Sequence, residues 1–189
     1  MKPRTLLLPM AGLFVGVVSA QAPVSIPIIN SIFQDDTLSC SPGFYCDASN
    51  ITGWVVGPNT VVQKMSTAEY PTAPVDGLYV AAIGYTSGTG SILQTLGATV
   101  QANTTYTLTI SVGARADVSF TGYLASLMAG NVPVAASHKA TPVGGTFVND
   151  VIEYKSGPTP AQLGQPLQIF VKSVGTGQVD VAKVTLTMQ

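Results

Sequence analysis

Aromatic and polar side chains in predicted loops are the residues of this sequence best suited to bind a ligand. Tyr70 and Tyr85 lie in loop segments, where exposed aromatic rings commonly serve binding. Arg115 offers several N–H donors, and Gln94 offers both a donor and an acceptor. Rings that stack on the CH faces of a sugar, together with groups that pair with its hydroxyls, predict a carbohydrate-binding site. Arg115 could instead form an ion pair with the neighbouring Asp117, and this alternative stays open.

Catalytic residues are not indicated by any local pattern. A nucleophilic triad needs a histidine base near the nucleophile, and the single histidine, His138, lies in a loop of alanine, serine and threonine. A glycosidase needs two paired carboxylates, and nothing in the sequence pairs the acidic candidates Asp76, Asp117, Asp150 and Glu153. We therefore predict a non-catalytic protein.

The charge content excludes one class of partner. Only 9% of the residues are charged, the formal net charge is -1, and the eight Lys and Arg residues are scattered. Nucleic-acid binding depends on a basic surface that neutralises phosphates, so no nucleic-acid partner is expected. A nearly uncharged surface also suits the lateral packing of subunits. The alternative function is therefore a structural or self-assembling subunit of the cell surface or extracellular matrix, with possible self-association.

The N-terminal segment has the three parts of a secretory signal peptide. Lys2 and Arg4 provide the positive start, residues 6–18 the apolar run, and Ala-Gln-Ala at 20–22 the small-x-small cleavage site. The apolar run is shorter than the roughly 20 residues of a membrane-spanning helix. We predict that residues 1–22 are removed and that the mature protein is secreted and extracellular, without a membrane span.

Cys40 and Cys46 are the two cysteines of the chain, and both follow the leader. In an oxidising compartment they should form a disulfide bond. The loop between them is short, so the bond should contribute only about 2 kcal/mol. A zinc site is not indicated, because two cysteines without a nearby histidine do not complete one.

A strand near the middle of the chain is the clearest structural element. Tyr106, Leu108, Ile110 and Val112 alternate with threonine and serine, which places the apolar side chains on one face of a strand. About ten short strands and no convincing amphipathic helix predict an all-β sandwich or barrel. Residues 23–189 should form this single domain.

Six short motifs in a fixed order resemble a known family. They are N-x-x-F-Q-D at 30–35, I-x-G-W at 51–54, D-G-x-x-V at 76–80, S-I-x-Q-T-L at 91–96, N-T-T-Y-T-L-T at 103–109 and V-D-x-x-x-V-x-L at 179–186. This order resembles the galactose-binding-like jelly-roll domains of secreted bacterial proteins, which are close to carbohydrate-binding modules. The PEP-CTERM tag that many relatives carry is absent here. The resemblance implies a two-sheet antiparallel jelly-roll β-sandwich and binding of an extracellular glycan or a cell-surface partner.

The same resemblance implies a structural calcium ion. In related modules an early Glu and a late Asp help to hold it, and the matching positions are Gln34 with its neighbour Asp35, and Asp180. Calcium prefers several oxygen ligands, including carboxylates, which Asp35 and Asp180 would supply with Asp36. The alternative is that these aspartates are turn residues with solvated carboxylates.

Overall fold

The computed structural model describes residues 22–36, 38–46, 50–72, 79–86 and 88–189. The predicted leader lies outside the described residues except for Ala22, and so does Asp76. The described part of the chain forms eleven strands: β1 Val24–Ile26, β2 Val55–Val56, β3 Thr60–Lys64, β4 Tyr79–Ile83, β5 Ser91–Thr99, β6 Thr105–Ala114, β7 Tyr123–Ala129, β8 Val132–Ser137, β9 Thr146–Lys155, β10 Pro166–Ser173 and β11 Val179–Met188. Within these residues, no helix is long and apolar enough to cross a membrane.

The strands form two antiparallel sheets. One has six strands in the order β3-β4-β11-β6-β9, with β1 paired to the far end of β11. The other has five strands in the order β2-β5-β10-β7-β8. The prediction of an all-β, two-sheet antiparallel jelly-roll sandwich is confirmed.

Strand β6 is central to the six-stranded sheet and pairs with β11 and β9. Tyr106, Leu108, Ile110 and Val112 are all buried in the core between the sheets, as their alternation predicts. The threonine row of β6 is half-buried on the opposite face. Burying each large apolar side chain contributes about 1.5–3 kcal/mol before entropy is counted.

The segment before β6 crosses from one sheet to the other. Strand β5 belongs to the five-stranded sheet, so residues 100–104 connect the two layers. Gly97 has the residue type of a turn but lies inside β5, because pairing with β10 extends that strand to Thr99. The turn depends instead on Asn103, whose φ of 52° lies in the left-handed region that asparagine tolerates.

Asp180 and Gln63 are buried polar residues of the six-stranded sheet. Asp180 stands on β11 between Val179 and Val181, and both valines face the core. Because successive side chains of a strand point to opposite faces, Asp180 points to the outer face of this sheet. Gln63 on β3 follows the core residue Val62 and points to the same outer face.

Candidate functional site

Asp180 and Gln63 lie on the outer face of a sheet and are nevertheless buried, with exposed fractions of 1% and 0%. Polar groups in such a position require partners above the sheet, because burial without hydrogen bonds is costly. The segment 66–70 after β3 and the disulfide loop 40–46 supply these partners. Cys40 and Cys46 form the predicted bond, with their Cα atoms 5.4 Å apart.

The segment after β3 is a single turn closed by a capping box. The Glu69 carboxylate accepts hydrogen bonds from the Ser66 N–H at 3.0 Å and from the Ser66 hydroxyl at 2.9 Å. In return, the Glu69 N–H donates to the Ser66 hydroxyl at 3.3 Å. This is the reciprocal pattern of an S-x-x-E sequence, here Ser-Thr-Ala-Glu at 66–69. That short motif was the available sequence signal for Glu69, which our sequence analysis missed.

Asp180 is held on both carboxylate oxygens. The Tyr70 hydroxyl donates to Asp180 Oδ2, and Gln178 Nε2 donates to Asp180 Oδ1 at 2.7 Å. The Tyr70 ring stacks on Phe147, with centroids 4.6 Å apart. Gly113 faces Asp180 across the β6–β11 ladder, and a Cβ there would overlap the Phe147 ring. The absence of a side chain at position 113 therefore makes room for Phe147.

Burial sets the protonation of the pair formed by Asp180 and Tyr70. It raises the pKa of Asp180 to about 6, although the hydrogen bonds from Tyr70 and Gln178 and the charge of Arg115 lower it. Burial, followed by the negative charge of Asp180, raises the pKa of Tyr70 well above its ordinary value. A carboxyl group that changes protonation near neutral pH is suited to proton transfer.

Five side chains around Asp180 form a closed ring of hydrogen bonds, which we call the polar ring. Tyr45 donates its hydroxyl proton to Gln178 Oε1 at 2.9 Å, and Gln178 Nε2 donates to Gln63 Oε1 at 3.0 Å. Gln63 Nε2 donates to Glu69 Oε1 at 2.7 Å. Arg115 completes the ring, with Nη2 2.7 Å from Glu69 Oε1 and Nη1 donating to the Tyr45 hydroxyl at 3.1 Å.

All three side-chain nitrogens of Arg115 are bonded within the protein. Besides its contacts in the polar ring, Nε and Nη2 donate to Asp117 at 2.9 and 2.7 Å, which is the ion pair that the sequence left open. Burial alone would lower the pKa of Arg115, but the hydrogen bond to Asp117 and the charge of Glu69 raise it above its ordinary value. The hydrogen bond from Arg115 lowers the pKa of Asp117. Arg115 thus positions its neighbours and is not free to bind sugar hydroxyls.

The other residues predicted to bind a sugar have different surroundings. Tyr70 belongs to the site, but its exposed fraction is only 1%, so it is not an open stacking platform. Tyr85 is half-buried and contacts Tyr45, with ring centroids 4.7 Å apart. Gln94 lies on β5 in the other sheet, where its amide donates to Ile29 O and accepts from Ile29 N, both at 2.9 Å. Gln94 is therefore a structural residue.

The two aspartates proposed for calcium do not share a site. Asp35 is exposed in the loop after β1, where its N–H donates to Asn30 Oδ1 at 3.1 Å. Asp180 is buried and bonded to Tyr70 and Gln178. Across the described ranges, no group of three or more His, Cys, Asp and Glu side chains could hold a metal ion. The structure does not support a calcium ion between Asp35 and Asp180, and calcium binding stays a prediction.

Comparison with known proteins identifies the family. The family model for HpiC1-like proteins, described as HpiC1 cyclase, matches residues 24–187. The chain belongs to the HpiC1-like cyclase family. No curated protein matches the chain.

Solved cyclase structures resemble the chain over most of its length. An apo cyclase from Fischerella sp. is 27% identical, with a TM-score of 0.76, and the match covers 88% of this chain and 97% of that one. The Stig cyclase Fisc from Fischerella sp. TAU, in complex with (3Z)-3-(1-methyl-2-pyrrolidinylidene)-3H-indole, is 27% identical, with a TM-score of 0.77 and coverages of 89% and 98%. A cyclase from Fischerella sp. TAU, in complex with 4-(1H-indol-3-yl)butan-2-one, is 28% identical, with a TM-score of 0.74 and coverages of 88% and 98%.

These findings correct the functional prediction. The family consists of cyclases, so the predictions of a non-catalytic carbohydrate-binding domain and of a structural surface subunit are wrong. The prediction of a glycan or cell-surface partner is wrong as well, because two of the related cyclase structures hold small indole compounds. A tandem xylan-binding-type domain of Paenibacillus barcinonensis Xyn10C is 13% identical, with a TM-score of 0.54, which shows the fold alone. The resemblance to carbohydrate-binding modules was therefore right about the jelly roll and wrong about the family.

The physical reason for the error lies in the contacts of the site. Sugar binding requires exposed rings and unused hydrogen-bonding groups, whereas Tyr70 is buried and Arg115 and Gln94 are already bonded within the protein. The pair formed by Asp180 and the Tyr70 hydroxyl joins residues 110 positions apart in the sequence. No local spacing pattern could have indicated that pair.

Proposed function

We propose that the protein is a cyclase in which Asp180 is the general acid. The raised pKa of about 6 keeps part of the Asp180 carboxyl neutral near physiological pH. General acids act best when their pKa is close to the working pH, and they contribute about 10²- to 10⁴-fold to the rate. The observation that carries the proposal is this buried carboxyl in contact with the Tyr70 hydroxyl.

The proposed reaction is an acid-promoted ring closure. Neutral Asp180 gives its proton to the substrate, directly or through the Tyr70 hydroxyl, and a nucleophilic group of the same substrate then bonds to the carbon made electron-poor. The N–H of Gln178 and the positive charge of Arg115 stabilise the resulting Asp180 carboxylate. Loss of a proton from the cyclised compound returns Asp180 to its neutral form. Substrate and product are therefore isomers.

The proposed substrate class is a small aromatic compound with an indole ring. The small indole compounds in two related cyclases support this class. In this chain, the rings of Phe147, Tyr45 and Tyr85 lie around the polar ring and would stack on such a compound. Because Asp180 and Tyr70 are buried, the substrate would reach them only when the partly exposed side chain of Phe147 moves aside.

The test is a turnover assay with a panel of small indoles that carry an internal alkene or imine. We expect a product of unchanged mass with a new ring, identified by mass spectrometry and NMR. Asp180→Asn should reduce its rate by about 10²-fold or more, since the amide has no acidic proton. Asp35→Asn is the matched control, because Asp35 is exposed in a separate loop. An Asp180→Asn variant as active as the wild type would exclude Asp180 as the acid.

We also propose that the enzyme acts outside the cytoplasm. The support is the signal-peptide pattern of residues 1–22 together with the Cys40–Cys46 bond, which is typical of oxidising compartments. Mass spectrometry of protein collected from the culture medium should show a chain that begins at Pro23. A chain that retains Met1 and stays in the cell would contradict export.

A further inference from the structure

Tyr45 connects the disulfide loop to the polar ring. The loop runs beside β3, with Gly43 N donating to Lys64 O at 2.8 Å and Lys64 N donating to Phe44 O at 3.2 Å. Tyr45 faces Gln63 in an antiparallel bridge. Residues directly opposite each other in such a pair point to the same face. The backbone pairing therefore directs the Tyr45 side chain to the outer face on which Gln63 and Asp180 lie.

The disulfide holds Cys46, the residue that follows Tyr45 in the same loop. Cys46 is buried in the core between the sheets, and its N–H donates to Val62 O at 2.7 Å. Its bond to Cys40 closes the loop on the other side of Tyr45. Tyr45 itself is 39% exposed, so its ring borders solvent while its hydroxyl reaches Gln178 and Arg115. The loop thus holds one hydroxyl group in a defined place at the edge of the site.

We propose that Tyr45 is a positioning residue, whose hydroxyl orients the Gln178 amide so that Gln178 Nε2 points at Asp180 Oδ1. The inference deepens the proposed function, because it concerns the residue that we assign as the general acid. Tyr45 acts on that residue through Gln178.

The direction of the hydrogen bonds gives the physical argument. A guanidinium has donors and no acceptor, so the Tyr45 hydroxyl must accept from Arg115 Nη1 and give its own proton to Gln178 Oε1. That bond leaves the Gln178 NH₂ group facing Asp180 and Gln63. A reversed amide would place its oxygen against the Asp180 carboxylate and its NH₂ group against the Tyr45 proton. Both contacts would be repulsive.

A second path through the polar ring supports the same orientation. Glu69 accepts from Gln63 Nε2, which leaves Gln63 Oε1 to accept from Gln178 Nε2. Removal of the Tyr45 hydroxyl should therefore weaken the orientation of Gln178 without abolishing it. The expected loss corresponds to about one hydrogen bond, or roughly a 2- to 10-fold fall in kcat.

Four ionisable groups from the surrounding segments influence Asp180. Tyr70 and Glu69 belong to the segment after β3, Arg115 follows β6, and Tyr45 comes from the disulfide loop. The hydrogen bond from Gln178 favours the charged carboxylate and lowers the pKa of Asp180. Loss of that bond should therefore raise this pKa, and the fall in activity with rising pH should move to higher pH.

The experiment compares Tyr45→Phe with the wild-type protein. Phenylalanine keeps the ring that contacts Tyr85 and removes only the hydroxyl. Tyr154→Phe is the matched control, because Tyr154 stacks on Tyr106 at the opposite end of the β6–β9 ladder from Phe147. The Asp180 carboxyl carbon is followed by NMR during a pH titration, and Asp180→Asn identifies its resonance. We expect Tyr45→Phe, but not Tyr154→Phe, to raise the pKa of Asp180.

Kinetics provide the second measurement. We expect Tyr45→Phe to lower kcat on the low-pH plateau and to leave KM unchanged, because the aromatic ring is retained. An Asp180 titration identical to that of the wild type would overturn the positioning role. The titration needs no turnover, so it decides this role even if no cyclase activity is found. A shifted titration in an enzyme whose turnover does not require Asp180 would keep Tyr45 as a positioning residue and reject the proposed general acid.

Discussion

The Tyr70 hydroxyl donates a hydrogen bond to Asp180 Oδ2, although the two residues are 110 positions apart in the sequence. Tyr70 comes from a one-turn segment after β3, and Asp180 comes from the first residues of β11. The contact places a phenol over a carboxyl group on the outer face of the six-stranded sheet, where burial raises the pKa of both groups. The fold thereby provides an acid suited to proton transfer.

The rate of the proposed cyclisation should depend on pH in one direction. Asp180 must be neutral to act as an acid, and its pKa is raised to about 6. We expect kcat to be constant at low pH and to fall about tenfold per pH unit above this pKa. Measurement of kcat from pH 5 to pH 8 checks the expectation. A rate that rises over the same range would indicate a base in place of an acid.

The free energy of unfolding should also depend on pH through Asp180. The pKa of Asp180 rises from 3.8 to about 6 on folding. The contribution of Asp180 to the free energy of unfolding is therefore fully present below pH 3.8 and is lost as the pH rises through about 6. Asp180→Asn cannot ionise, and it should gain about 2 kcal/mol relative to the wild type between pH 4 and pH 8. Denaturant titrations at both pH values measure this gain. Asp35→Asn should show no such change. If the stability of Asp180→Asn changed with pH in the same way as that of the wild type, the raised pKa of Asp180 would be contradicted.

Gly113→Ala should disturb the site through packing. The added Cβ would overlap the Phe147 ring, which stacks on Tyr70. Overpacking of this kind costs about 1–3 kcal/mol, and displacement of Phe147 should also reduce turnover. Gly97→Ala is the control, because a Cβ at position 97 has nothing within 4 Å. Thermal unfolding of the two variants should differ clearly, and equal melting temperatures would show that Phe147 moves at little cost.

Ile110→Asp should prevent folding. Ile110 is fully buried in the core between the sheets, opposite Val184 on β11. An unpaired charge at this position has no partner and would be strongly destabilising. Thr109→Ser, on the outer face of the same strand, should leave the fold intact. Circular dichroism and a melting curve distinguish the variants, and a folded Ile110→Asp with an unchanged melting temperature would refute the assignment of the faces of β6.

Removal of the disulfide should destabilise the protein moderately. The bond joins residues six positions apart, so the loop-closure estimate for Cys40→Ala/Cys46→Ala is about 2 kcal/mol. Denaturant unfolding under non-reducing conditions provides the measurement. The same double variant in the presence of dithiothreitol is the control and should show no further loss. Unchanged stability after removal of the disulfide would show that backbone pairing with β3 is sufficient to hold the loop in place.

Much of the fold could be predicted from local patterns. The alternation of Tyr106, Leu108, Ile110 and Val112 with threonines sufficed for the buried face of β6, because the side chains of a strand alternate whatever its partners are. The Val-Asp-Val pattern around Asp180 likewise implies that the aspartate faces away from the core. The end of β5 could not be predicted from such a local pattern, since pairing with β10 extends that strand past Gly97.

The sequence by itself determined the all-β class, the buried row of β6 and the cysteine pair, since each depends on residues close together in the chain. Only the tertiary structure decided that Asp180 is an acid with a raised pKa and that Tyr70 and Gln178 hold it. The pKa of a carboxyl depends on how much water its surroundings exclude and on the charges that face it. For Asp180, those surroundings come from the disulfide loop, the segment after β3 and the end of β6, and only the folded sheet brings them together.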